Sequence, residues 1–508
     1  MNPLSQPVRC HSGVTSVFAV LSLLLALCGY LAAGCGSAGM PAAPPPAPSP
    51  TSVAVMVSST ANDQFTSFYV DITSISLTNR AGTIVSVLAA PQSNVFTQTQ
   101  EAEFIHLNGQ MAPFLTAMVP QDVYTSATLT YSYAQFTHVM LNASGALETV
   151  TDAVGGPNSN PQTASVNLPA PLAIHGSAMA VSLDLQVSQS ATFTNQGAGQ
   201  PDTYAITPIF TLTPVEPMPQ SQVQARGVDG LVSSINSGSN SLSLMIGYGF
   251  NNPSYPDGAT FTIATNASTV YQGIGNFSAL AAGMIANLDL TLQSDGSLLA
   301  TRIEVDDPGA TNVLVGPLGT VFGAQGAIVD LGRTNEEFNQ SVVPGGILSP
   351  YSFDASTAFK LSGEIAVPSN LPFSATFDSS SMIAGQNVSV ASQVIVTSGG
   401  THTHATTITL MPQTINGTIT GVSSSGGFTV YSVSLAAYDL FPILAVQPGQ
   451  TTALQNPSSV EVYVDSNTQM LNSNAIAPGN VMRFNGLTFN DGGTARMVCW
   501  QIHDGVAQ

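Results

Sequence analysis

Downstream of residue 52, apolar and polar positions alternate with a period of two, and no long stretch has helical spacing. Val53-Ala54-Val55-Met56-Val57 opens this region. Phe68, Val70 and Ile72 alternate, then the pattern restarts out of phase at Ile75 and Leu77, which predicts a bulge near Thr73-Ser74. Asn79-Arg80-Ala81-Gly82 has turn chemistry and leads into Thr83-Ile84-Val85-Ser86-Val87, so a hairpin is expected there. Leu129, Tyr131 and Tyr133 alternate, as do Val181, Leu183, Leu185 and Val187. A closing strand is expected over Tyr204 to Leu212, at a sheet edge because Pro208 cannot donate to a ladder. Strands with one buried face make a sandwich, which is expected over 53–216, and the Pro- and Gln-rich run 214–224 reads as a linker.

Beyond the linker the chain repeats a pattern. An apolar strand opening on glycine recurs at Gly283-Met284-Ile285, Gly385-Gln386-Asn387-Val388 and Gly479-Asn480-Val481. Each is followed by a Gly-containing turn, then by a small residue three places before an isoleucine: Ala300/Ile303, Ala405/Ile408 and Cys499/Ile502. Upstream lie Gly230-Leu231-Val232, Gly319-Thr320-Val321 and Gly417-Thr418-Ile419, and two of the three units have a β run closing at Thr269 or Thr468. Three β modules are expected, at 225–310, 311–412 (divergent, with an insertion around Asn335-Glu336-Glu337) and 413–508. Each is a small barrel or sandwich. The fold class is all-β: one sandwich followed by three small modules.

The amino-terminal stretch has a different pattern. One charge, Arg9, precedes a mostly apolar run from Val14 to Ala33 that ends in Leu31-Ala32-Ala33-Gly34-Cys35. A basic start, an apolar centre and a small-residue exit make a secretory signal. The motif resembles a bacterial lipoprotein signal, although position −3 holds Ala32 where Leu is usual. The resemblance implies a signal peptide over 1–34 and lipidation of Cys35. Gly36 in place of Asp then implies the outer membrane. Residues 35–52, rich in Pro and Ala and uncharged, suit an extended stalk. A transmembrane helix is the competing reading of the apolar run.

Two further resemblances rest on order. The opening strand, Phe68-Tyr69-Val70-Asp71-Ile72, then Val119-Pro120-Gln121-Asp122-Val123-Tyr124, and a close at Leu183-Asp184-Leu185 and Tyr204 to Ile209 resemble family 4382 of the domains of unknown function. The first and third modules resemble family 5666 of the same class. Both imply folds and carry no assigned chemistry.

Charge narrows the partners. Twenty-eight acids face eight bases, for a net charge of −20, which argues against nucleic acid and anionic lipid as partners because both need a basic surface. Cys10 and Cys28 fall in the signal and Cys35 is assigned to lipid, so Cys499 would stand alone and no disulfide is expected.

Candidate chemistry is sparse. His402 and His404, two apart on a strand, project to one face and form the candidate metal pair, with Asp378 and Glu364 as remote further ligands. The pair also adjoins a polar turn, which suits a solvated hairpin. Glu304-Val305-Asp306-Asp307 reads as a solvated acidic linker, with calcium bridging of adjacent modules as the functional alternative. Glu101-Ala102-Glu103 is expected in an exposed loop, and Cys499 is expected in a core. No Gly-x-Ser-x-Gly elbow, His-Glu-x-x-His, Cys-x-x-Cys or phosphate-binding loop occurs. No catalytic residue and no cofactor is assigned. The expectation is a lipid-anchored cell-envelope protein, at the outer membrane or cell surface, that binds, adheres or scaffolds without catalysis. Envelope polysaccharide or surface proteins would be its partners. The alternative is a carbohydrate-active or other hydrolase with a dispersed pair of carboxylates.

Overall fold

The computed structural model describes residues 49–504 except 60–64, 66, 90–99, 105–110, 142–146, 156–159, 195–202, 247–258, 311, 331–346, 399, 437–438, 447–449, 451 and 472–475. Cys35, the expected signal and nearly all of the expected stalk lie outside these residues, as does Asn335-Glu336-Glu337. Among the described residues the fold is all-β, and no helix is long and apolar enough to cross a membrane.

The first sheet has two leaves. Ser67–Asn79 lies between Ile84–Leu88 and the twenty-residue strand Asp122–Leu141, while Pro50–Ser59 lies between Ala112–Pro120 and Ala178–Leu185. Gln162–Asn167 joins the leaves by pairing with Asp122–Leu141 on one side and Ile209–Val215 on the other. Phe68, Phe114, Phe136, Leu129, Leu183 and Phe210 fill the space between them. The register does shift between Ile72 and Ser74, which returns Ile75 and Leu77 to the core side. The Asn79 carboxamide accepts the N–H groups of Ala81 and Thr83, fixing the expected hairpin turn with Gly82 at φ +82°. The buried Tyr124 hydroxyl donates to the Pro120 carbonyl at 2.9 Å and closes the corner between two strands.

Two expectations fail here. Pro208 does not sit in one edge strand; it divides the run. Thr203–Ile206 pairs in a separate two-stranded sheet with Ala191–Thr194, and Ile209–Val215 is interior, between Ala178–Leu185 and Gln162–Asn167. The missing N–H falls at the crossing, where no ladder bond is needed. Glu101-Ala102-Glu103 is strand rather than loop, paired with Tyr69 to Asp71, because Ala102 fills a core position.

Three six-stranded sheets follow with the same strand order. In the first, Ala225–Asn236 pairs with Ser241–Ile246 and with Ile285–Leu292. The outer strands Ala259–Ala264 and Leu298–Glu304 then meet in parallel, closing a five-stranded ring, and Val270–Gln272 adds to Leu298–Glu304. The third ring closes through four pairs, Val460↔Ala495 to Tyr463↔Val498, whereas the second closes through Ser352↔His404 alone. Closure answers the barrel-or-sandwich question in favour of barrels, five-stranded Greek-key rings of the kind found in OB-folds.

The glycine anchors have one geometry. Gly283, Gly385 and Gly479 have φ near +90°, and their N–H groups donate to the carbonyls of Val232, Leu318 and Ile419 at 2.8, 2.7 and 2.8 Å. Only glycine adopts that backbone without strain. The threonine hydroxyls likewise donate to the carbonyls of Ala300, Ala405 and Cys499, all at 2.8 Å, from Thr269, Thr357 and Thr468. Register corrects one pairing drawn from the sequence. Opposite the strand after each anchor stand Gly230, Gly316 and Gly417, so Gly316 is the counterpart of the other two and not Gly319.

The domains pack together. Val53, Val55 and Val57 point into the sandwich, while Ala54 and Met56 of the same strand join Ala180, Ala225, Leu290 and Leu292 in a core shared with the first barrel. Leu487, Phe489 and Val498 of the third barrel enter the core of the second. A fully buried side chain of this size contributes about 1.5–3 kcal/mol, so these contacts are substantial. The expected linker is docked too: Gln224 donates its N–H to Leu290 and accepts from the Leu292 N–H.

Candidate functional site

The densest chemistry lies where the barrels meet. Arg302 and Glu304 flank Ile303 on the last strand of the first ring. Ile303 points inward, so the two charges share the outer face. Asp289 is the cross-strand partner of Arg302. The guanidinium grips it with two bonds of 3.1 Å, from Nε to Oδ2 and from Nη2 to Oδ1, and also binds Glu304 and Asn287. Arg302 is 5% exposed.

The second barrel covers this cluster. After Ala358–Leu361 the chain inserts Glu364, whose carboxylate lies 3.9 Å from Arg302 Nη2 and whose carbonyl accepts from Arg226. The Gly363 N–H donates to Glu304 at 3.2 Å. Gly227 makes room: at φ +64°, a Cβ there would stand 2.9 Å from the Glu364 carboxylate. The third barrel adds Trp500, whose ring centroid lies 4.3 Å from the Arg226 guanidinium, close enough for a cation–π contact.

Three buried carboxyls (Asp289, Glu304 and Glu364) thus face two guanidiniums. Burial, opposed by Arg302, pushes Glu364 up to about 8. Glu304 is raised for the same first reason, with Arg302 again opposing. The net result is a protonatable carboxyl inside an inter-domain contact.

At its margin Asp306 and Asp307 line a cleft of about 370 Å³, open mouth included, with Asp229, Asn287, Glu304 and Ser389. This run is not the solvated linker expected from sequence. Asp306 accepts from the Ser389 and Thr409 hydroxyls at 2.8 Å each, and its carbonyl accepts from Lys360 at 2.7 Å. Asp307 accepts from Thr406 at 2.6 Å. The acids bridge adjacent modules through hydroxyl and amine donors, which are already built into the second barrel.

His402 and His404 are elsewhere, on the strand Gly400–Leu410. Their cross-strand partners are Ile395 and Gln393, so both lie on one face. His404 Nδ1 is 3.1 Å from the Ser352 hydroxyl, and its Nε2 is 3.7 Å from Asp354. Neither remote candidate joins them. Glu364 belongs to the charged junction, and Asp378 caps a turn through Ser380 and Ser381. Among the described residues, no group of three or more His, Cys, Asp or Glu could hold a metal ion. Cys499 is buried, its Sγ 3.2 Å from the Gln501 carbonyl, and burial pushes its thiol far up, so the thiolate needed for nucleophilic chemistry is disfavoured.

Sequence reasoning missed Arg226, Asp289 and Arg302. A signal was there: in a chain with eight bases, Arg302-Ile303-Glu304 puts two opposite charges on one strand face.

Comparison with known proteins adds one family. Residues 229–304, inside the first barrel, match the model described as Domain of unknown function (DUF5666). No curated protein matches the chain. A solved structure of drosophila Unr CSD456 is similar at 10% identity over 56% of this chain and 100% of that one, with a TM-score of 0.13, too low to carry an argument.

Proposed function

We propose that this chain is a lipid-anchored bacterial cell-envelope protein with a non-catalytic role in binding, adhesion or scaffolding. The observation that carries the reading is the use made of its scarce charges. Arg226, Arg302 and Lys360 and the acids around them lie at the contact between barrels, where they hold domains together. Together with the Leu31 to Cys35 motif and the uncharged Pro-rich run after it, this favours a surface-displayed body over a diffusible enzyme. The three barrels are read as copies of one module, on the strength of their shared glycine and threonine bonds. The sandwich is read as the 4382-type domain. Envelope polysaccharide and surface proteins are the proposed partners.

The test is membrane fractionation and protease accessibility on whole cells, comparing the native chain with Cys35→Ala. The reading requires a membrane-bound, protease-accessible protein that the substitution releases to the soluble fraction. A native chain already soluble would end it.

One observation favours the hydrolase alternative: Glu304 and Glu364 share the Arg302 guanidinium, and Glu304 lines a cleft. A carboxyl raised by burial can serve as a general acid, and burial raises both. Both are almost fully buried, however, at 9% and 7% exposure. Polysaccharide cleavage abolished by Glu304→Gln with the fold intact would establish that alternative.

A further inference from the structure

We infer that Ser352 of the second barrel, served by His404 and Asp354, is an acyl-accepting nucleophile for small uncharged carboxylic esters. The three residues lie outside the charged junction, at the seam where the second ring closes through Ser352↔His404. Tyr351 and Phe353 are core residues, so Ser352 between them faces outward. Ala405 is in the same core, so His404 before it faces outward too. The other two barrels show what this seam position otherwise holds. Ser352 stands five places before Thr357, as Ala264 does before Thr269 and Tyr463 before Thr468. His404 stands one place before Ala405, as Leu299 does before Ala300 and Val498 before Cys499. The equivalent pairs are therefore Ala264↔Leu299 and Tyr463↔Val498, in which Leu299, Tyr463 and Val498 are buried. Closing a ring calls for neither a hydroxyl nor an imidazole, yet the second barrel sets one against the other.

Each residue has a role by position. His404 Nδ1 is 3.1 Å from Ser352 Oγ, within reach of its proton, and the Thr403 carbonyl is a second acceptor at 3.3 Å. The other ring nitrogen, Nε2, is 3.7 Å from Asp354 Oδ2. Asp354 is held by its turn: Oδ1 accepts the Ser356 N–H at 2.7 Å, which leaves Oδ2 to face His404. The Ser356 hydroxyl and N–H keep this carboxyl below the usual carboxylate range, with His404 adding to the effect, so it stays charged. A carboxylate beside Nε2 favours the tautomer protonated there and leaves Nδ1 to accept the serine proton. The division of labour is that of a Ser-His-Asp triad with the two ring nitrogens exchanged.

The neighbours set the substrate class. Gln325 pairs with Ser352 and Gln393 with His404, so a Gln-Ser-His-Gln row crosses the outer face, with both glutamines exposed. Carboxamides of this kind can donate to an oxyanion as it forms. Asp354 and the net charge of −20 repel anionic esters, which leaves uncharged ones. In the step itself, Oγ attacks the ester carbonyl carbon while its proton passes to His404 Nδ1. The tetrahedral intermediate expels the alcohol oxygen, which takes that proton from His404 and leaves as the free alcohol. Ser352 keeps the acyl group as a new ester. One such event per chain captures an acyl group covalently, which goes beyond a binding role without requiring turnover.

The test is incubation of the full chain with p-nitrophenyl acetate, following nitrophenol release and locating acetyl groups by peptide mass. The apolar pairs of the other barrels indicate that changes at this seam leave the fold in place. The inference requires acetylation of Ser352 that Ser352→Ala abolishes. A positioned base contributes about 10²–10⁴-fold, so His404→Gln should slow Ser352 labelling by about 100-fold or more. Asp354→Asn keeps the turn, as Asn266 does in the first barrel, where its Oδ1 accepts the Ser268 N–H at 2.8 Å. It should slow labelling less and move its pH dependence, which a purely structural role for Asp354 would leave in place. No acetyl group on Ser352, or labelling of Ser352 at the native rate in His404→Gln, would overturn the inference. So would nitrophenol release that is equal in the native and Ser352→Ala chains.

Discussion

Replacing Glu364 by Gln leaves the shape of the inter-barrel junction nearly unchanged and removes its titration. The native carboxyl is held at about 8, against an ordinary value of 4.5, mainly by burial, with Arg302 opposing. A raised folded-state value means that the folded chain keeps a proton which the unfolded chain gives up. The stability associated with that proton is complete below pH 4.5 and is lost as pH rises through about 8. Each pKa unit is worth about 1.4 kcal/mol, so the displacement, in which the attraction of Arg302 already counts, sets a ceiling on the order of 5 kcal/mol. Glutamine mimics the protonated form at every pH. The expected result is therefore near-equal stability of native and Glu364→Gln chains at pH 5, and a variant that is the more stable of the two, by a few kcal/mol, at pH 9. Trp500, the only tryptophan, lies against Arg226 at this junction and supplies the probe. Guanidinium unfolding followed by its emission, at half-unit steps from pH 5 to 9, measures the difference. Curves that stay parallel would refute the protonated junction, because no other group differs between the two chains.

Three further outcomes follow from the same geometry. Arg302→Met leaves Asp289, Glu304 and Glu364 buried without their shared cation and should cost about 3–5 kcal/mol, read in the same Trp500 transition. Tyr124→Phe removes the bond to the Pro120 carbonyl and should cost about 1 kcal/mol, read as a lower melting temperature by calorimetry. His503 is held down to about 4 by burial, with Arg483 adding to the effect. It is thus a depressed group whose stability contribution is present above pH 6.5 and is lost as pH falls toward 4; His503→Gln should flatten acid unfolding in that interval.

What was legible in the sequence is what short-range pattern encodes. The run from Val53 to Val57, the phase slip at Thr73-Ser74 and the Asn79 turn are set by neighbours within a few residues and stand in the structure as read. By contrast, Val187 begins a helical turn after Leu185, and Tyr133 falls out of phase with Leu129 and Tyr131. The glycine anchors were visible because a left-handed backbone admits few other residues. Gly316 was missed for Gly319 because both fit a Gly-x-hydrophobic template, and only the ladder shows which one faces the strand after the anchor. Thr357 escaped notice because the preceding strand, Ile347–Ser352, follows a long insertion. The charged junction was illegible for a different reason. Arg226, Asp289, Arg302 and Glu364 come from positions up to 138 residues apart. Each looks like an ordinary exposed strand or loop residue until two barrels close over it.

The account rests most heavily on Cys35, and the mass of the amino-terminal peptide of the native protein tests it most directly. The expected result is a peptide that begins at Cys35 and carries diacylglyceryl and acyl mass, recovered from the membrane fraction. A peptide that begins elsewhere without lipid, or an uncleaved amino terminus, would contradict it.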